Sequence, residues 1–364
     1  MNTNFHQYYN CSGEQYFNLW QIYDKHLNDL VDGYKHIEYV VDQDLIATLK
    51  GIKKPTYDKR YIQSLMVRQL KKLRNKYNKL RLLYSGGTDS FTILKLAIEN
   101  DIYIDETITH LVSLQNDKKT NIEYLHGIAY AQKHCPNNIG RVTLIHPTLQ
   151  DLDYYYTNDW HTDESIVRGS PIWLRGQYIC RYMPPALDED TVTLTGQEKP
   201  QLIKQDNKVY WCVLDDPMSE YMKINSIYHF FCDKNNPELI AAQVYAFLNT
   251  VKLKEGYNNT DSYQKDTRLD LIENLGYYLT GKSFIDKALI GKNRFNQSIK
   301  NKRFLKELFK QGHEDLTNQI FQNHKNLYNK YKNIKHGIEY HNGFVKSVGR
   351  YSQKIQVFQD SFAG

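Results

Sequence analysis

Apolar residues recur along this chain with two periods. A helical period runs through 14–31, with Tyr16, Phe17, Leu19, Trp20, Ile22, Tyr23, Leu27, Leu30 and Val31 on one broad face. It returns over Asp58–Tyr77, where Tyr61, Ile62, Leu65, Met66, Leu70 and Leu73 point inward and the other face is basic. Between them, Ile37–Leu49 reads as a short strand followed by a helical turn. From Leu80 the pattern alternates. Short apolar runs at Leu80–Tyr84, Glu106–Leu114, Val142–Ile145 and Thr191–Leu194 predict strands, and Asp89–Glu99 and Thr120–Lys133 predict helices. Strands taking turns with helices predict an α/β fold with a doubly wound parallel sheet. Its ligands would gather at the carboxyl ends of the strands, bringing Ser85–Ser90, Ser113–Asn116, His146–Pro147 and Thr195–Lys199 to one crevice.

This pattern divides the 364 residues into a helical N-terminal extension (1–78), a core domain (79–235) and a mainly helical C-terminal region (236–364). The C-terminal region contains a predicted hairpin around Val348–Ser352. No apolar run approaches the roughly 18 residues of a membrane span, and the polar Met1–Ser12 lacks a signal-peptide core. The five cysteines are scattered, without a C-x-x-C pair, as expected of a reduced cytoplasmic chain without a structural zinc site. The 30 tyrosines, against 14 Phe and 4 Trp, suit half-buried wet surfaces or base stacking, or reflect an AT-rich genome. The formal charge is only +6, but 281–356 holds 16 Lys+Arg against 5 Asp+Glu. This local +11 is interleaved with Tyr328, Tyr331, Phe344 and Tyr351, so it suits either RNA or DNA binding or a solvated helical face. The same two readings apply to the basic side of 58–77.

The most informative stretch is Leu82-Leu83-Tyr84-Ser85-Gly86-Gly87-Thr88-Asp89-Ser90. A strand stops at Ser-Gly-Gly and a helix begins. Paired glycines let a ligand approach the main chain, and the amides opening the helix favour an anion. Ser85, Thr88 and Ser90 add hydroxyl donors. Asp89 would repel a bare phosphate, which points to Mg²⁺ between its carboxylate and the phosphates.

Ser85, Gly86, Gly87, Asp89 and Ser90 fill every fixed position of Ser-Gly-Gly-x-Asp-Ser, and the stretch resembles the signature of the PP-loop (N-type) ATP pyrophosphatases. The resemblance implies an adenine nucleotide alpha-hydrolase-like (HUP), Rossmann-type fold. It also implies cleavage of ATP to AMP and pyrophosphate with Mg²⁺, usually adenylating a second substrate that a nucleophile then attacks. It places adenine beside Leu111, Val112 and Ser113, and likens Gly196 and Glu198 to a loop that closes on ATP in asparagine synthetase-like members. It covers about 80–235 at most.

Three further stretches bear on chemistry. In Thr195-Gly196-Gln197-Glu198-Lys199-Pro200, the glycine permits close backbone approach and Lys199 can reach a phosphate, there stabilising the leaving pyrophosphate. The insertion 151–190 reads as a lid or recognition loop, in which Arg175 and Arg168 are candidates to clamp a carboxylate or phosphate of the second substrate. Gly276–Ser283 matches the Walker A spacing, but a helical period precedes it, so Gly281 reads as a helix stop and Ser283 as a new start.

Residue 2 is Asn rather than Cys, so no N-terminal glutaminase is expected. The cysteine sets of thiolation enzymes, deazaguanine synthases and sulfate-nucleotide reductases are missing too, which leaves a plain AMP-forming ligase. Three functions are compatible with these features. The first is an asparagine synthetase-like ligase acting on a small carboxylate or amide with ammonia or an amine. The second is an enzyme adenylating a base of RNA or DNA, using the basic C-terminal region. The third is a non-catalytic nucleotide-binding module. The oligomeric state stays open.

Overall fold

The computed structural model describes residues 8–16, 19–40, 43–51, 56–111, 122–146, 149–150, 190–196, 200–206, 208–212, 227–250, 270, 272–280, 308–341, 344–347 and 354–356. In chain order the strands are β1 (Tyr8–Cys11), β2 (Glu14–Tyr16), β3 (Ile37–Val40), β4 (Lys79–Leu83), β5 (Ile104–His110), β6 (Ile139–Ile145), β7 (Thr191–Thr195), β8 (Gln201–Gln205), β9 (Lys208–Cys212), β10 (Ile227–His229), β11 (Ile338–His341), β12 (Phe344–Ser347) and β13 (Ile355–Gln356). The helices are α1 (Leu19–Val31), α2 (Gln43–Gly51), α3 (Lys59–Lys76), α4 (Thr88–Glu99), α5 (Ile122–Lys133), α6 (Pro237–Thr250) and α7 (Glu314–Tyr331).

The architecture is α/β. Five parallel strands form a sheet in the order β10-β7-β4-β5-β6, flanked by helices. The first of these strands in the chain, β4, lies in the middle. The next two step outward on one side and the last two on the other. The order therefore reverses between β4 and β7, and the crevice outside their carboxyl ends is the ligand position of such sheets.

Both faces of a central parallel strand are buried, so apolar runs are the usual pattern. Here one face departs from it. Arg81, Glu106 and Arg141 are register partners on β4, β5 and β6, and Thr193 continues the row on β7. The Glu106 carboxylate accepts from Arg141 Nε (3.0 Å), from Arg141 Nη2 (2.7 Å) and from the Thr143 hydroxyl. Arg81, Glu106 and Thr193 are all buried. The opposite face carries Leu80, Leu82, Val192 and Leu194, which pack with Leu65 and Leu70 of α3, Ile93 and Leu94 of α4 and Leu239 of α6.

α3 starts where its sequence allows a cap: Asp58 accepts from the amides of Arg60 and Tyr61 at 3.0 Å each. Such a cap contributes about 1 kcal/mol. α6 adds Ala242 and Ala246 to the core at the sheet, and Ile240, Val244 and Phe247 to a second core. That second core holds Trp20, Tyr23 and Tyr331, with ring centroids 5.4–5.7 Å apart. The tyrosines explain part of the composition. Tyr23 donates to the Gly337 carbonyl (2.9 Å), Tyr277 to Gln243 Oε1 (2.8 Å), Tyr331 to Asp24 and Tyr228 to Asp233. Each is a core ring with a satisfied polar tip.

One expectation is corrected. The segment 1–78 is not helical throughout, because β2-β1-β3 form an antiparallel sheet in it. The β1–β2 turn is Ser12-Gly13, with both residues at positive φ, a two-residue hairpin geometry whose S-G signal lies in a stretch read only as polar. Near the C-terminus, β12 pairs antiparallel with β11 and Ile355–Gln356 with β9, and the hairpin turn expected around Val348–Ser352 lies outside the described residues. No helix among the described residues is long and apolar enough to cross a membrane.

The N-terminal sheet and α1 share a proton-sensitive contact. His26 is buried at a kink in α1. The Lys35 ammonium donates to its Nδ1 (3.0 Å), so the neutral ring carries its proton on Nε2, 2.9 Å from the Tyr16 hydroxyl, which donates to Glu14. Burial and then the Lys35 charge hold the His26 pKa below its ordinary value, with Glu14 and Asp29 opposing and Lys25 assisting. The folded state thus binds this proton less tightly than the unfolded chain does. His26 costs no stability well above pH ~6.5 and costs progressively more as pH falls below it. Melting temperature is expected to drop between pH 7.5 and 5.5, and to drop less in His26→Gln. Equal drops in both proteins would refute the linkage.

Candidate functional site at the carboxyl ends of the central strands

The loop after β4 is built from its own side chains. The Ser85 amide donates to Ser90 Oγ (3.2 Å), Ser90 Oγ donates to the Gly87 carbonyl (3.4 Å), and the Gly87 amide donates to Ser85 Oγ (3.3 Å). The two serines of the motif therefore fold the loop. Gly86 takes φ +67°, a left-handed conformation that favours glycine. Gly87 is the N-cap of α4 and supplies no side-chain bond to its amides. The first-turn amides of any α-helix have no carbonyl to bond within it, so at this end acceptors come from outside the helix. Thr88 and Asp89 are half-buried and Ser90 is buried.

Two glycines press on this loop. A Cβ added to Gly127, in the middle of α5, would lie 2.5 Å from the Gly86 Cα and 3.1 Å from its amide nitrogen. A Cβ added to Gly196, just after β7, would lie 2.8 Å from Asp89 Cβ and 3.0 Å from the Ser90 nitrogen. Gly196 thus meets the start of α4 at the switch point, as the sequence reading expects of the two loops. Gly127 was not foreseen. Its signal was an isolated glycine in a helical pattern, which lowers helix stability by roughly 1 kcal/mol relative to Ala and so implies a packing reason.

Below the loop, Tyr84 is buried against Gly127, and burial pushes its phenol pKa well up, so it stays neutral. Its carbonyl accepts from the Thr109 hydroxyl (2.6 Å) and its amide donates to the Ile108 carbonyl (2.8 Å), tying the loop's root to β5. Leu111 follows β5, donates its amide to the Ile145 carbonyl (2.9 Å) and packs on Tyr124 and Ile128. Two further residues not singled out in the sequence, His110 and His229, are buried at the carboxyl ends of β5 and β10, His229 as register partner of Thr195.

Val112, Ser113, Arg168, Arg175 and Lys199 lie outside the described residues, as does nearly all of the 151–190 insertion. Among the described residues no three His, Cys, Asp or Glu side chains gather to hold a metal. Asp89 supplies a single carboxylate at the loop. A Mg²⁺ bound through one carboxylate plus phosphate oxygens and water needs no more protein ligands than that. A glycine-lined turn, a helix start whose N-cap Gly87 adds no side chain, and the Asp89 carboxylate beside it fit a Mg²⁺-bound polyphosphate. Comparison with protein-family models, with curated proteins and with solved structures finds no match to this chain.

Proposed function

We propose that this chain is a Mg²⁺-dependent ATP pyrophosphatase of the PP-loop kind, with the HUP variant of the α/β fold, which adenylates a carbonyl oxygen of a second substrate in the cytoplasm. One observation carries the reading. All five fixed residues of Ser-Gly-Gly-x-Asp-Ser stand at the carboxyl end of the central strand, beside the switch point, where the chain turns from strand into helix.

In this reading the amides of Gly86 and Thr88, with the Ser85 hydroxyl, hold the β- and γ-phosphates, while the Gly87 amide and the Ser90 hydroxyl keep the loop in shape. Asp89 holds Mg²⁺, which when bound neutralises phosphate charge. Gly196 keeps the wall beside the helix start thin. Leu111, Val112 and Ser113 stand by adenine. Lys199 stabilises charge on the departing pyrophosphate and Arg175 orients the second substrate. An oxygen of that substrate attacks the α-phosphorus, the α–β bridging bond breaks and pyrophosphate leaves. An amine or ammonia then adds at the activated carbon and AMP leaves.

A small carboxylate or amide is the first choice of acceptor. A nucleobase carbonyl in RNA or DNA is the second, and the local charge of +11 over 281–356 favours it. The test is to incubate the protein with MgATP and a pool of metabolites and tRNA, and to follow AMP, pyrophosphate and new adducts by mass spectrometry. AMP and pyrophosphate in equal amounts are expected. ATP binding with neither product would leave a nucleotide-binding module, and no ATP binding at all would end the reading.

A further inference from the structure

α3 is charged on one side far beyond what exposure requires. Residues 58–79 hold eight Lys and Arg and one acidic residue, Asp58, which is used as the cap. The inner side of α3 is Ile62, Leu65, Met66, Gln69, Leu70 and Leu73, all buried. Arg68 pairs with Glu238 (2.6 Å) and Arg74 with Asp105. Arg60, Lys71, Lys72, Lys76 and Lys79 are exposed and form no salt bridge among the described residues; Lys76 lies over the Tyr77 ring, 4.9 Å from its centroid. From Arg60 to Lys76 the stripe is about 24 Å long at 1.5 Å per residue. Arg68, Lys72 and Lys76 follow one another at i,i+4, where like charges repel. A face that serves only solvation mixes its signs, and this one does not.

The chemistry selects a polyanion. A bilayer-binding helix inserts its apolar side, and that side of α3 is already inside the core. At the C-terminal end of the stripe stands Tyr103, 41% exposed. Its carbonyl accepts from Arg74 Nη1 (3.4 Å). A half-exposed ring that lies over Gly140 and whose own carbonyl is held by Arg74 of this helix suits an unstacked base whose phosphates follow the stripe, the ordinary state of RNA loops and single strands and the exception in duplex DNA. We propose that the exposed stripe of α3, ending at Tyr103, docks the backbone of single-stranded RNA, with Tyr103 stacking a base. Docking here is independent of nucleotide chemistry at the loop.

The test is fluorescence anisotropy of a labelled, unstructured RNA with the full chain over a range of salt, without ATP. Wild type is expected to bind with a steep salt dependence. Changing Lys71, Lys72, Lys76 and Lys79 together to Glu is expected to weaken binding at least ~10-fold, with the four-Ala version intermediate and the four-Arg version retained. The log–log salt slope of the four-Ala protein should fall by about 3, near 0.7 per lost phosphate contact. Tyr103→Ala should weaken binding roughly 5-fold or more. Circular dichroism of the Ala and Arg sets separates lost docking from lost folding. ATP titration of the same proteins should be unchanged, so failure at the loop and failure on α3 read out separately. No RNA binding by wild type, equal binding of duplex DNA, or unchanged RNA affinity with lost binding to phosphatidylserine vesicles would each overturn the assignment.

Discussion

An Asp89→Ala protein is expected to release pyrophosphate from MgATP, in the presence of its acceptor, at least ~100-fold more slowly than wild type, the scale of removing one well-placed electrostatic group. Asp89 sits in the first turn of α4, half-buried, with Gly196 against its Cβ. A carboxylate there also stabilises the helix, by roughly 0.3–1 kcal/mol at an exposed N-terminus. The two roles separate cleanly. If Asp89 serves only the helix, Asp89→Asn turns over normally and melts slightly lower. If it also carries the Mg²⁺ that the phosphates need, Asp89→Asn melts just as slightly lower but is as slow as the alanine protein. A normal rate of pyrophosphate release in either variant would contradict the proposed role of this residue.

Gly127→Val is expected to cost both stability and nucleotide affinity, although residue 127 bears no functional group. The added carbon falls 2.5 Å from the Gly86 Cα, and both partners are main chain, so no rotamer relieves the contact. Either α5 retreats from β5 and β6, or the loop is pushed out of the conformation that Gly86 holds at φ +67°. Overpacking of this kind costs about 1–3 kcal/mol, which for a chain of this size is a few degrees of melting temperature. ATP affinity should fall at least ~10-fold, more than the stability loss alone explains in a protein that is still folded at the assay temperature. A Gly127→Val protein that melts and binds ATP like wild type would show that α5 does not position the loop. Calorimetry and equilibrium dialysis on the same preparation decide this.

The loop was legible because its chemistry is local. Six consecutive residues hold the serines, the glycines and the carboxylate, and a strand and a helix on either side follow from periodicity alone. The same holds for α3, whose apolar positions and capping aspartate are all within one segment. The tyrosines were not legible in this way. Their number suggested wet surfaces or stacking, and Tyr228, Tyr277 and Tyr331 turned out to be core rings, because each found a hydrogen-bond acceptor that only folding brings near. The N-terminal sheet was missed for a related reason. β1 and β2 are short, and β1 is completed by β3, more than twenty residues later in the chain.

Taken alone, the order of amino acids determined the alternating strands and helices, the turn at Ser85–Ser90 and the one-sided charge of α3, since each depends on neighbours within a few positions. The tertiary structure alone decided which strand is central, where the strand order reverses, that Arg81, Glu106 and Arg141 form one row, and that Gly127 and Gly196 press on the loop from two sides. Those relations join residues tens to more than a hundred positions apart. They depend on which surfaces exclude water together, a property of the packed chain that no local pattern encodes.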